Sequence, residues 1–134
     1  MLGYYGQYST EYLWTLMVLT TLFFALPLFL IPIQWGRMMQ WEIPQQTHLA
    51  IYFGRCLGAL LLVIGCMALR ALITGKGLSY IFDILFLVYI FMFFVHIYGA
   101  LRRIQPITET LEIGFWVLLF VLNIVFYPVG HFVF

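Results

Sequence analysis

Charge is what this chain most lacks. Six Lys/Arg and five Asp/Glu make up 8% of its 134 residues, against about a quarter in a soluble domain. Eleven charged side chains cannot cover a water-soluble globule of this length. The 65% hydrophobic content excludes a disordered segment and a coiled coil. A net charge of +1 offers no footprint for nucleic acid. Cysteine is scarce as well. Cys56 and Cys66 stand ten residues apart on one apolar stretch, about 15 Å along a helix, whereas a disulfide needs Cα atoms within about 7 Å. They read as small buried apolar residues. Also missing are G-x-S-x-G, a Gly-rich phosphate loop, and the HxxxH, ExxH and CxxC spacings. Hydrolase and nucleotide-driven chemistry therefore has no support, and no metal site is expected.

What the chain does have is long apolar runs. About 20 such residues cross the hydrocarbon core, and four windows qualify, at about 12–33, 49–73, 78–101 and 111–129. The runs are continuous rather than alternating, and a barrel needs at least about eight strands. The expected fold is all-α: a single integral membrane domain, residues 1–134, forming a four-transmembrane-helix bundle with up-down topology and short loops. Pro32 and Gly36 are expected to end the first helix. Pro27 and Pro32 are its candidate kinks. Thr74–Gly77 makes a tight turn that holds helices two and three antiparallel. Pro44 and Pro106 precede helices two and four, and Glu109 and Glu112 occupy the first turns of helix four, at the positive end of its macrodipole.

Arg37, Arg102 and Arg103, with Arg55 within snorkelling reach, lie on the side of the two longer loops. Arg70 and Lys76 lie on the other. The bias places both termini outside. The first apolar run is too long for a signal peptide, so helix one is expected to stay attached. Tyr4, Tyr5, Tyr8, Trp35 and Trp41 suit an interfacial aromatic belt, and Arg37–Glu42 a short interfacial segment.

Ionisable residues inside a span must face a partner, the bundle interior or water. His96 lies six residues before Arg102, about 9 Å from that helix end. Arg55 and Glu112 fall in the same layer, which predicts an Arg55–Glu112 pair with His96 as neighbour. Asn123 shares the helical face of Glu112 and joins this polar cluster as a ligand-binding or structural member. Asp83 is expected to pair with Arg70 or Lys76 and lock the hairpin. Gly54, Gly58 and Gly65 mark a helix-packing flank. His48, His96 and His131 do not share one depth, so a bis-histidine haem is not expected; His96 alone is a candidate axial ligand for haem or chlorophyll.

The stretch His96-Ile-Tyr-Gly-Ala-Leu-Arg-Arg103, followed by Gln105-Pro-Ile-Thr-Glu-Thr-Leu-Glu112, resembles a motif of small bacterial four-helix membrane proteins, DoxX-like in topology. It covers under a fifth of the chain. The resemblance implies four-helix architecture and carries no functional residue. A bacterial inner membrane is the expected location. The first functional expectation is a non-catalytic accessory or scaffold subunit of a larger respiratory or photosynthetic complex, in contact with lipid and with other membrane subunits or its own copies. A second is a bundle that binds a quinone, sterol or other lipid through Arg55, His96 and Glu112. A third is an intramembrane isomerase with His96 and Glu112 as acid and base; the reading leans against an enzyme. No cofactor is expected.

Overall fold

The computed structural model describes residues 2–129. His131, considered above as a haem ligand, lies outside them. Five helical segments follow one another: α1 (Gly6–Leu30), α2 (Pro32–Met38), α3 (His48–Thr74), α4 (Leu78–Arg102) and α5 (Ile107–Val125). The 25, 27, 25 and 19 residues of α1, α3, α4 and α5 are long and apolar enough to cross a membrane. At about 1.5 Å per residue they match or exceed a hydrocarbon core about 30 Å thick. The fold is an all-helical integral membrane bundle.

Its polarity runs opposite to that of a soluble domain. Phe23, Leu87, Phe91 and Phe94 are exposed, while Ser9, His96, Glu109 and Asn123 are buried. Apolar side chains face outward because hydrocarbon solvates them as well as a protein core does. Polar ones turn inward to find partners.

The first helix ends earlier than expected. Ile31 leaves the helical region (φ −134°, ψ 53°) because the ring of Pro32 crowds the residue before it. Pro32 then opens α2 rather than stopping a helix, since a first turn needs no N–H at that position. Within α1, Thr21–Ala25 forms a wide π turn in which Leu26 N–H reaches back to the Thr21 carbonyl. Pro27 cannot donate to the Phe23 carbonyl four residues earlier. That oxygen instead accepts Trp35 Nε1–H at 2.9 Å, so α2 folds back to repair the gap left by Pro27. Trp35→Phe leaves the carbonyl unpaired in an apolar setting. The expected cost is about 1–3 kcal/mol, read as a lower thermal midpoint in detergent.

At two glycines α3 approaches α1 and the start of α2 closely. A Cβ on Gly58 would lie 2.5 Å from Phe29 N and 2.9 Å from the Ala25 carbonyl; one on Gly54 would lie 2.6 Å from Pro32 Cβ. Gly65 meets only Thr21 Oγ1, at 3.8 Å, an ordinary contact. The α3–α4 turn uses Gly75 and Gly77 at φ +69° and +78°, values that a side chain penalises. At the far end of the bundle, Gly3 and Tyr5 N–H groups bond the last-turn carbonyls Ile124 and Val125 of α5 at 2.8 and 2.9 Å. The N-terminal segment thus satisfies acceptors that a helix end leaves open.

The core nearest this end gathers Leu13, Ala68, Ala71, Leu78, Ile81, Phe82 and Tyr127. Asp83 is bound here, but not as expected. Its Oδ1 accepts Tyr127 O–H at 2.9 Å, and it makes no ion pair with Arg70 or Lys76. Asp83 reaches toward the end of α5, while Arg70 is exposed and Thr74 Oγ1 donates to the Arg70 carbonyl at 2.8 Å. Burial, then the carboxylate of Asp83, pushes the Tyr127 phenol up.

Candidate functional site

The second polar region is built at the opposite end, where α4 leads into α5. Along α4, Phe82, Tyr89 and His96 recur every seven residues and are all buried, which makes one inward stripe. The helix closes with Arg103 in the left-handed region (φ 52°); Ile104 N–H bonds the Gly99 carbonyl and Arg103 N–H that of Ala100, each at 3.1 Å. This double bond pattern stops a helix in one residue. Gln105 then lies across Gly99, in space a Cβ would fill. Its Nε2 donates to the His96 carbonyl at 3.1 Å and to Thr110 Oγ1 at 3.2 Å. The amide ties the end of α4 to the first turn of α5.

Pro106 sets that first turn, and Glu109 and Glu112 follow at a spacing of three, on one face. Both carboxylates reach His96. Nε2 of the imidazole is 3.0 Å from Glu109 Oε2 and 3.4 Å from Glu112 Oε2, with side-chain exposures of 4% for His96, 12% for Glu109 and 15% for Glu112. Nδ1 is 2.7 Å from the Met92 carbonyl. A carbonyl only accepts, so Nδ1 carries the proton. Trp116 Nε1–H donates to Nε2 at 3.3 Å. Nε2 faces both carboxylates, donating to Glu109 when it carries a proton and accepting from Trp116 when it does not.

The loop after α2 completes the enclosure. Trp41 Nε1–H donates to Glu109 Oε1 at 2.8 Å, and Thr108 Oγ1–H to the Met39 carbonyl at 2.6 Å. Trp35 and Trp41, assigned by sequence to an interfacial belt, each also donate an indole hydrogen bond within the protein. His96, Glu109 and Glu112 can offer one ligand atom each, all within 4.8 Å of one another. No local motif announces this set, because its members come from two helices.

Of the expected cluster, His96 and Glu112 meet. Arg55 and Asn123 do not join them. Arg55 is exposed on α3, beside an open depression lined by Phe29, His48, Tyr52 and Cys56. It forms no ion pair with Glu112, because Gly54 and Gly58 are the residues that α3 turns toward its neighbour. Cys56 and Cys66, expected to be buried, are exposed on the outer side of α3. Asn123 is fully buried, but it lies three turns further along α5, about 16 Å from Glu112 by helical rise. There its Nδ2–H donates to the Phe82 carbonyl at 2.9 Å. Nε2 of His96, the atom an axial ligand to haem or chlorophyll would use, faces Trp116 and two carboxylates.

Glu109 and Trp41 are the members that sequence reasoning missed. Glu109 carried a signal, the Glu-x-x-Glu spacing in one helix turn. Trp41 carried none, since 68 residues separate it from its acceptor. No protein-family description matches the chain, and neither the curated proteins nor the solved structures return a similar one.

Proposed function

We propose that this protein is an integral membrane protein that binds a cation at His96, Glu109 and Glu112. One observation carries the reading. Nε2 of His96 and two carboxylates converge, and among the described residues no Lys or Arg pairs with them, since Arg55 lies elsewhere. Two carboxylates around one nitrogen need positive charge between them, from a proton on Nε2 or a bound cation, and the low dielectric strengthens that demand. One imidazolium balances only one of the two carboxylates, whereas a divalent ion balances both.

The test uses Glu109→Gln/Glu112→Gln, which keeps shape and removes both charges. Without added cation its thermal midpoint is expected to equal or exceed that of the parent, because sites held for a ligand are strained when empty. Added divalent ions are expected to raise the midpoint of the parent only. A parent indifferent to every cation, with a destabilised double variant, would assign the cluster to structure alone.

With both termini outside, the centre lies at the cytoplasmic boundary of a bacterial inner membrane. The accessory-subunit reading has its own supporting observation. Tyr80, Ile84, Leu87, Phe91, Phe94, Tyr98 and Leu101 are all exposed on α4, spaced alternately four and three residues apart. That is the seam spacing by which helices pack on one another. Purification in mild detergent is expected to retain partner subunits or further copies on this face; a monomer would leave it to lipid.

A further inference from the structure

The geometry points to a first-row transition-metal ion of the Mn2+, Fe2+ or Zn2+ class as the occupant, held by Nε2 of His96 and an oxygen each of Glu109 and Glu112. This rests on the cation-site reading above and narrows it. Ligands bound at about 2.1 Å stand about 3.4 Å apart in a tetrahedron and about 3.0 Å apart at adjacent octahedral corners. The distances from Nε2 to the carboxylate oxygens, 3.0 and 3.4 Å, already lie on those edges. All three ligand atoms lie within 4.8 Å of one another.

The donor chemistry discriminates among ions. Ca2+ takes six to eight oxygens and Mg2+ keeps several waters, whereas imidazole suits the transition series. The supporting contacts agree. A ligating histidine usually donates its other N–H to a carbonyl or carboxylate, and ligating carboxylates are themselves hydrogen-bonded. Here Nδ1–H is held by the Met92 carbonyl and Oε1 of Glu109 by the indole of Trp41. Three protein ligands leave at least one coordination position for water or another small ligand, as in sites that do chemistry rather than closed structural sites.

The decisive experiment titrates tag-free full-length protein, stripped with a chelator, with Co2+ followed by its visible absorption. Mg2+ and Ca2+ serve as competitors. One Co2+ per chain is expected, undisturbed by millimolar Mg2+ or Ca2+. Glu112→Gln is expected to raise Kd by on the order of 100-fold, and Trp41→Phe, which touches only the outer oxygen of Glu109, by about 10–100-fold. Arg55→Leu is expected to bind like the parent. Mg2+ or Ca2+ competing on equal terms would overturn the transition-metal assignment and leave the cation site standing. Co2+ held equally well by Glu112→Gln, or no ion bound at all, would overturn both.

Discussion

His96→Leu is expected to be the most destabilising single substitution at the polar centre, costing about 3–5 kcal/mol. The imidazole separates two part-buried carboxylates, and leucine would leave Glu109 and Glu112 facing an apolar side chain. Removing one member of a buried polar set strands the others, which costs more than the lost contact itself. Thermal unfolding in detergent, followed by circular dichroism, measures the loss. A triple variant, His96→Leu/Glu109→Gln/Glu112→Gln, is expected to recover much of it, because no stranded charge remains. If His96→Leu unfolds at the parental midpoint, the imidazole does not hold the carboxylates together.

Gly58→Leu is expected to have the second largest effect, through packing rather than charge. Even its Cβ would press on the Phe29 nitrogen and the Ala25 carbonyl. Those are backbone atoms, so relief requires α1 and α3 to move apart. Overpacking of this kind costs about 1–3 kcal/mol. Close backbone approach is also what holds helices together where solvent gives no hydrophobic drive, so the loss is expected at the upper end. Gly65→Ala, whose Cβ meets only Thr21 Oγ1 at an ordinary distance, is expected to stay within about 0.5 kcal/mol of the parent. Equal midpoints for the two variants would show that the glycine flank is not a contact line.

The four crossings were legible because hydropathy over about 20 residues reports a property of the whole segment. Local exceptions were not. The break at Ile31 depends on a single proline ring, and the return of Trp35 to Phe23 on a contact that no periodicity encodes. The polar centre divides the same way. His96 and Glu112 were found together because their depths can be counted from helix ends. Glu109 was read as a helix-start carboxylate, which it also is, and that local role hid the second one. Arg55 was placed by depth alone. Depth does not say which way a side chain faces, and Gly54 and Gly58 had already claimed the inward face of α3. Asn123 shows the converse error, a shared face without a shared depth.

The hydrogen bonds donated by the Gly3 and Tyr5 N–H groups to the final turn of α5 have a consequence for biogenesis. The Gly3 and Tyr5 amides cannot dock until α5 has entered the bilayer. Until then the imidazole waits on the third crossing without its acidic partners, which the fourth brings in. A nascent product stalled before Glu109 would therefore carry an unfinished polar end into quality control.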